Sequence, residues 1–383
     1  MRVTIYMIAN YTYVDTEAEL EKAAEQWNKE QEVGIDLECE NNLHHYGAYL
    51  SIIQLSTRKH RWVVDVLRLK NIKPVLDLFE NPDIQKIFHD VGFDLRIIHH
   101  ELKSKVRNIF DTQIAAHLLG KKDLGLASLL EEYFKVKKEK KFQMADWTKR
   151  PLDKEMIEYA VKDTKYLILL RDILRKELKN AKRWEWAEEE FKQLEGKNWE
   201  LHLPGFDELK GYHLLTPKQR GILKQLYMLR EKMAKRVDRP VHFVMSTRRM
   251  FDFIQEPPTL KQWQEMKGVH PIVRREARTV YEAVERGKSQ PIDFKFVPVK
   301  KYTPQQRSKA AQFNEISVKI SEQLKVPGHL VLNKEQIKDI VLTGKMDGLR
   351  RWQRRIVLNF LPGGNQGKRP RQHTKTPAEQ AQK

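Results

Sequence analysis

Two acidic residues inside a short apolar segment constrain this chain most. Asp36 and Glu38 lie in residues 33–38, where the other side chains are Val, Gly, Ile and Leu. In a β-strand, residues two apart point to the same face, so the pattern predicts a half-buried strand with paired carboxylates. Paired carboxylates repel unless a cation lies between them, and hard divalent ions such as Mg²⁺ prefer oxygen ligands. The pair therefore predicts a metal site; the alternative is a polar edge strand, in which buried carboxylates would be costly.

Two further acids occur where they could complete such a site. Asp94 follows a short apolar strand, near the start of a predicted helix, where the helix dipole also favours an acid. Tyr159 and Asp163 are four residues apart and so share one face of another predicted helix. Each of these could alone be an ordinary helix position. Taken with the strand pair, they predict a two-ion site, in which ions about 3.5–4 Å apart hold the attacking and leaving oxygens of a phosphodiester.

A basic and aromatic segment precedes the Tyr159 helix. Lysines are frequent in residues 135–141, and aromatic residues follow in residues 142–151. A lysine run is usually a solvated face, but cations beside stacking rings also predict a track for single-stranded nucleic acid. The candidate substrate-binding residues are His89, Lys141, Gln143, Trp147 and Arg150. Asp111 is a weaker candidate, because it could equally cap a helix.

The excess of positive charge lies wholly in the second half of the chain. The net charge of the 383 residues is +19, yet residues 1–200 carry 34 Lys and Arg against 35 Asp and Glu. Residues 201–383 carry 37 against 17. A strongly basic region predicts a nucleic-acid partner; solubility or attraction to acidic lipid is the alternative.

Cysteine usage and hydropathy indicate a cytoplasmic protein. Cys39 is the only cysteine, which excludes an intrachain disulfide and a zinc cage built from cysteines. No apolar run approaches the roughly 20 residues that cross a bilayer. The first ten residues lack the pattern of a secretory signal.

The order of apolar runs predicts an α/β fold with a mixed sheet. An antiparallel meander of three strands is expected first, followed by alternating short strands and helices. The expected strands are residues 33–39, 49–56, 61–66, 86–88 and 109–110. The expected helices are residues 16–30, 72–79, 93–101, 111–119 and 153–178, followed by a connector that contains Trp184, Trp186 and Trp199.

The second half predicts two small helical units. Residues 215–220 resemble residues 302–307, and in each a Thr-Pro pair is expected to open a helix. The predicted domains are residues 1–200, 213–291 and 302–360, with a linker at 293–301 and a disordered basic tail at 361–383.

With these residues assembled, residues 31–180 resemble the DEDD superfamily of 3′-to-5′ exonucleases, in the subgroup with Tyr in its third motif. Residues 109–113, 124–129 and 146–152 resemble the ribonuclease D family and its eukaryotic exosome relative. Residues 213–291 resemble the HRDC domain, a helical nucleic-acid-binding module, and residues 302–360 resemble a divergent second copy. Cys39 is a departure, because relatives often have an aromatic residue there.

The resemblance implies an RNase-H-like exonuclease domain followed by two all-α HRDC-type domains. It implies stepwise hydrolysis from RNA 3′ ends, including those of tRNA precursors, with two Mg²⁺ or Mn²⁺ ions per site. By motif, Asp36, Glu38, Asp94 and Asp163 would hold the metals, and Tyr159 would orient the water. Two other readings stay open: a DNA exonuclease of the same superfamily, and a non-catalytic RNA-binding protein.

Overall fold

A computed structural model describes residues 11–137, 141–294 and 302–361. The chain divides into two compact units. The first comprises Met1–Gln113, Gly125–Leu174 and Phe191–Val299, and the second comprises Ile114–Leu124, Arg175–Glu190 and Lys300–Lys383. Most of the expected linker and nearly all of the expected tail lie outside the described residues. The domain boundaries expected from the sequence stay a prediction.

A six-stranded mixed sheet forms the centre of the first unit. The strands are β1 (Thr12–Val14), β2 (Glu32–Asn41), β3 (Ala48–Ser56), β4 (Arg61–Asp65), β5 (Gln85–Phe88) and β6 (Ile109–Asp111), in the order β1-β4-β3-β2-β5-β6. β2, β3 and β4 are antiparallel, which confirms the meander, and the other pairs are parallel. β1 was not expected, because three residues carry too little pattern to identify a strand.

Helices lie along the chain between and after these strands. They are α1 (Glu17–Trp27), α2 (Lys73–Glu80), α3 (Gly92–Leu102), α4 (Thr112–Leu118), α5 (Leu126–Phe134), α6 (Lys154–Lys165), α7 (Leu167–Asn180) and α8 (Trp184–Gly196). The expected cap of α1 is present, since the Thr16 side chain accepts a hydrogen bond from the Glu19 amide. The mixed α/β fold expected from the sequence is therefore observed in this part of the chain.

Two expectations about the helices after Pro151 were wrong. The single helix expected over residues 153–178 is two helices, because the chain leaves the helix at Tyr166. The segment expected to be a connector forms helix α8. Its buried Ala187 and Phe191 are four residues apart, a helical stripe that the neighbouring charged residues obscured.

A lysine is fully buried in the sheet at β5. The side chain of Lys86 is 0% exposed, and its ammonium donates hydrogen bonds to the carbonyl oxygens of Asn81 and Ile84. Burial lowers the pKa of Lys86 from its ordinary value of 10.5 to about 7, while Glu195 acts in the opposite direction. The folded protein therefore binds a proton at this position less readily than the unfolded chain does.

We predict that Lys86 makes stability depend on alkaline pH. Between about pH 7 and pH 10.5 the unfolded chain holds a proton that the folded state has lost, so the free energy of unfolding should rise with pH. Lys86→Met should flatten this rise in urea titrations at a series of pH values. A slope unchanged in the variant would mean that other groups cause it.

The first unit also contains the first of the two helical modules. Its helices are α9 (Pro217–Val237), α10 (Val241–Val244), α11 (Thr247–Gln255), α12 (Leu260–Gln264), α13 (Pro271–Arg275) and α14 (Ala277–Ser289). α9 begins at Pro217, as the Thr-Pro pair predicted, and a capping box joins Thr216 and Gln219. α9 and α14 cross closely at Gly221 and Gly287: a Cβ added to Gly287 would lie 2.4 Å from the Cα of Ile222. Only glycine permits this packing.

The second unit contains the other module, α15 (Pro304–Leu324), α16 (Gly328–Val331), α17 (Lys334–Thr343) and α18 (Arg351–Phe360). Thr303 forms the same capping box with Gln306, and α15 matches α9 in length, so the expected local repeat is present. Within this unit the Trp352 ring stacks on Trp186 at 4.7 Å. No helix among the described residues is long and apolar enough to cross a membrane.

Candidate active site

The central strand β2 carries the first two acids of the site. β2 lies between β3 and β5, with Asp36 opposite Gln54 and Glu38 opposite Ile52. Asp36 and Glu38 are both partly buried, and the Gln54 amide donates to the Glu38 carboxylate at 3.4 Å. The register shifts between Glu38 and Cys39, and the pairing then continues to Asn41 in the shifted register. The apolar alternation thus presents both acids on one face of the strand, as predicted.

Close packing of α6 on the sheet brings Asp163 to this face. The Ser56 hydroxyl on β3 donates to the Thr164 carbonyl on α6 at 2.9 Å. A Cβ added to Gly34 would lie 2.7 Å from the Ser56 hydroxyl and 3.3 Å from the Thr164 carbonyl. Glycine at position 34 therefore allows the helix to approach, and the adjacent Asp163 is buried.

The fourth acid, Asp94, lies in the first turn of α3 and is also buried. The loop before α3 is held by Asp111, whose carboxylate accepts hydrogen bonds from the amides of Val91 at 2.9 Å and Asp90 at 3.3 Å. Asp111 also accepts from the Gln113 amide at 2.7 Å, as the capping alternative expected. Its visible role is to fix the loop that positions Asp94.

The carboxylates form a cluster that fits divalent cations. Oxygens of Asp36, Glu38 and Asp163 all lie within 4.8 Å of one another. Burial raises the pKa of Asp94 well above its ordinary value, and the charge of Asp36 raises it further, followed by those of Asp111 and Asp90. Carboxylates this close repel one another unless a cation lies between them, and an all-oxygen donor set suits Mg²⁺ or Mn²⁺.

The Tyr159 hydroxyl faces the same cluster. Burial raises the pKa of Tyr159, and the charges of Asp163, Glu38 and Asp36 raise it further. The phenol therefore stays protonated and can donate a hydrogen bond. Its ring is held by Phe142, edge-on at 5.7 Å, and by Trp147 at 6.2 Å.

Arg150 holds the segment that carries Trp147, one of the two rings that pack against Tyr159. Its guanidinium forms an ion pair with Asp65, which is 0% exposed, and donates to the Trp147 carbonyl at 2.7 Å. The Tyr13 hydroxyl donates to the same Asp65 carboxylate. The sequence analysis did not predict a role for Tyr13 or Asp65. An acid directly after two apolar valines could have indicated that Asp65 is buried and needs a partner. The observed contacts of Arg150 and Trp147 position Tyr159; substrate binding by them stays a prediction.

The structure gives the other three predicted substrate-binding residues contacts or exposure of their own. His89 contacts the Thr112 hydroxyl at 2.9 Å, Lys141 forms an ion pair with Glu155, and Gln143 is exposed. Their binding roles also stay predictions.

A second mixed group lies at the loop between β2 and β3. Oxygens of Glu40 and Asp146 and a ring nitrogen of His44 lie within 4.8 Å of one another. The buried Glu40 carboxylate accepts a hydrogen bond from the His44 amide at 3.0 Å and so stabilises the loop. The neighbouring His45 links Asp146, at 3.4 Å, to Asp238 at the end of α9, at 2.6 Å. No local pattern in the sequence predicts this junction.

Comparison with known proteins identifies the domain that contains the cluster. Residues 11–179 match the family model described as 3′-5′ exonuclease. Exosome complex exonuclease RRP6 of Saccharomyces cerevisiae is 30% identical over 266 residues, which are 64% of this chain and 36% of the relative. Ribonuclease D of Zymomonas mobilis is 32% identical over 220 residues, 56% of each chain. The chain thus spans about a third of one relative and about half of the other.

The fold resembles a solved structure over a longer stretch. Escherichia coli RNase D, described as an exoribonuclease involved in structured RNA processing, matches with a TM-score of 0.70 and 22% identity, covering 92% of this chain and 100% of that one. At this identity the likeness shows the fold. The match of residues 11–179 to the family model shows that this part of the chain is a 3′-5′ exonuclease domain, and its relatives include ribonuclease D and RRP6.

We predict that Arg150 acts on turnover by positioning Trp147 and Tyr159. Arg150→Lys keeps the positive charge but cannot form the two-pronged ion pair with Asp65. We expect kcat of the nuclease reaction to fall about tenfold, equivalent to about 1.4 kcal/mol, with KM little changed. Steady-state kinetics measures both constants. A rise in KM at constant kcat would instead place Arg150 on the substrate.

Proposed function

We propose that this protein is a metal-dependent 3′-to-5′ exoribonuclease that removes nucleotides one at a time from RNA 3′ ends. The observation that carries the proposal is the cluster of Asp36, Glu38 and Asp163, whose oxygens lie within 4.8 Å of one another beside the Tyr159 phenol. The family match of residues 11–179 supports the direction of cleavage.

The carboxylates fit two divalent ions. Asp36, Glu38 and Asp163 would hold one, and Asp36 with Asp94 would hold the other. When bound, such ions supply Lewis-acid activation of the attacking water and stabilise the leaving 3′ oxygen. The chain itself would fix the ligand positions through the sheet, α3 and α6, so little reorganisation is needed during the reaction.

Tyr159 would orient the attacking water. Its raised pKa keeps the phenol protonated, so the hydroxyl can donate to, or accept from, a water held at the carboxylates. The ring cannot swing away easily, because Phe142 and Trp147 pack against it. The reaction then needs no covalent intermediate on the protein.

RNA is the proposed substrate, and tRNA precursors are the proposed natural class. The named relatives support RNA, and the excess of positive charge in residues 201–383 supports attraction of a nucleic-acid backbone by the two helical modules, which we propose to be HRDC domains. A DNA exonuclease would need the same carboxylates, since only contacts to the 2′-hydroxyl distinguish the sugars. A non-catalytic RNA-binding role is the other alternative. We also propose a cytoplasmic location.

We predict a metal-dependent ladder of shortened products. The purified protein is incubated with 5′-labelled single-stranded RNA or matched DNA, with Mg²⁺, Mn²⁺ or EDTA. RNA shortened stepwise with either ion and not with EDTA supports the proposal. Asp163→Asn should abolish the ladder while RNA affinity is largely kept, because the amide cannot replace the charge at the cluster. RNA that is bound but uncut with every ion would favour the binding protein, and a ladder confined to DNA would favour the DNA enzyme.

We predict that Tyr159→Phe slows the chemical step without loss of metal. The ring packing is retained, and only the hydroxyl that orients water is removed, which should lower kcat by about 10²-fold, the lower end for proton-handling groups. The Mn²⁺ affinity, followed by isothermal titration, should stay within about twofold. Unchanged turnover would remove Tyr159 from the mechanism.

A further inference from the structure

A second group of potential metal ligands lies at the loop between β2 and β3. Glu40 is near the end of β2, His44 is in the loop, and Asp146 is in the segment that leads to α6. One carboxylate oxygen of Glu40, one of Asp146 and a ring nitrogen of His44 all lie within 4.8 Å of one another. Two segments that are distant in the sequence therefore meet at three side chains, none of which belongs to the carboxylate cluster of the active site.

Each carboxylate of this group uses one oxygen to hold the local fold, which leaves the other oxygen for a further partner. Glu40 Oε1 accepts hydrogen bonds from the amides of Leu43 at 2.5 Å and His44 at 3.0 Å. Asp146 Oδ1 accepts from the Thr148 amide at 3.1 Å and from the Thr148 hydroxyl at 2.5 Å. These bonds fix the direction of both carboxylates, so the positions of Glu40 Oε2 and Asp146 Oδ2 are set by the backbone.

The imidazole of His44 has a nitrogen that faces Glu40 and accepts or donates no hydrogen bond among the residues that the structure describes. This atom, Nδ1, is buried and lies 3.7 Å from Glu40 Oε2, which is too far for a hydrogen bond. Buried polar atoms nearly always have a partner, so this nitrogen needs an explanation. A metal ion held between the nitrogen and the carboxylates would supply one.

The negative charge of the group is buried and poorly offset. The side chain of Glu40 is 2% exposed and that of Asp146 is 9% exposed. Within the described ranges, the structure records no lysine or arginine paired with either acid. His45 lies 3.4 Å from Asp146 and 2.6 Å from Asp238, so one imidazolium would be shared between two carboxylates. Buried charges of this kind are normally paired or bound to a metal.

The separations and the chemistry of the donors fit one metal ion. In a tetrahedral zinc site with bonds of about 2.1 Å, neighbouring ligand atoms lie about 3.4 Å apart. The distance of 3.7 Å between His44 Nδ1 and Glu40 Oε2 needs only a small inward movement to match. An imidazole with two carboxylates suits Zn²⁺, whereas Mg²⁺ prefers oxygen donors alone. The His44 side chain is 32% exposed, so an ion can enter from solvent.

We propose that Glu40, His44 and Asp146 form a second metal site, which binds a borderline divalent ion such as Zn²⁺ and ties the loop between β2 and β3 to the segment that carries Trp147. A water molecule would complete the coordination on the exposed side of His44. This site goes beyond the proposed function and does not depend on it, because its ligands differ from the four acids that would hold the catalytic ions.

The test uses the full chain with Asp163→Asn, which removes one ligand of the active-site cluster and so weakens competing binding there. Isothermal titration with Zn²⁺ should give one tight site per chain. X-ray absorption at the zinc edge should show scattering from an imidazole ring, with bonds of about 2.0–2.1 Å. The carboxylate cluster offers only oxygens, so this signal separates the two sites. Millimolar Mg²⁺ should not displace the ion.

His44→Gln, made in the same background, is the decisive variant. The hydrogen bond from residue 44 to Glu40 comes from the backbone amide, so the substitution leaves the loop bonded. Zn²⁺ affinity should fall by about a hundredfold or more, since even the outer partners of metal ligands can contribute that much. The imidazole signal should disappear, and Zn²⁺ should no longer raise the melting temperature.

His213→Gln is the matched control, because it removes an exposed imidazole outside the group. Its zinc affinity, imidazole signal and metal-induced rise in melting temperature should equal those of the background protein. Melting temperatures in EDTA check that all variants fold. Bound zinc without imidazole scattering, displacement of zinc by Mg²⁺, or equal zinc affinities of His44→Gln and His213→Gln would each overturn the second site. None of these results bears on RNA cleavage, which the wild-type ladder tests separately.

Discussion

Mutual repulsion among the carboxylates of Asp36, Glu38, Asp94 and Asp163 is the constraint on which the structure around the site depends. Negative groups this close lower stability unless a cation offsets them, so the surrounding elements must hold them together. β2 supplies two acids at the centre of the sheet, and α6 and α3 each supply one. The fold therefore gives up stability at this place for a preorganised cation site, as functional sites commonly do.

Sequence patterns predicted this cluster because its members obey simple periodicities. Asp36 and Glu38 follow the two-residue period of a strand, and Tyr159 and Asp163 follow the four-residue neighbour rule of a helix. The meander was predictable for the same reason, since three apolar runs with short connections leave few alternatives. Asp94 could be expected to join the others only from its company with the strand pair and from the family resemblance, because one acid at a helix start has an ordinary explanation.

Contacts between residues distant in sequence were not predictable. The Arg150–Asp65 ion pair joins residues 85 positions apart, and the link from His45 to Asp238 joins residues 193 positions apart. No local periodicity in the sequence predicts such pairs. Trp147 and Arg150 illustrate the consequence. A cation and an aromatic ring near an active site suggest a binding surface for single-stranded nucleic acid, yet the observed partners of both residues are other residues of the protein. Helix α8 was missed because its charged residues outnumber its apolar stripe.

Gly34 has a consequence for how mutational data on this protein should be interpreted. It has no side chain that could hold a cation, yet a side chain there would push α6 away from the sheet, and Asp163 with it. A genetic screen for lost activity would rank Gly34 beside the acids themselves. A map of tolerated substitutions will therefore show the residues between α6 and the sheet as clearly as the acids of the site. Only substitutions between the helix and the sheet will also lower the melting temperature.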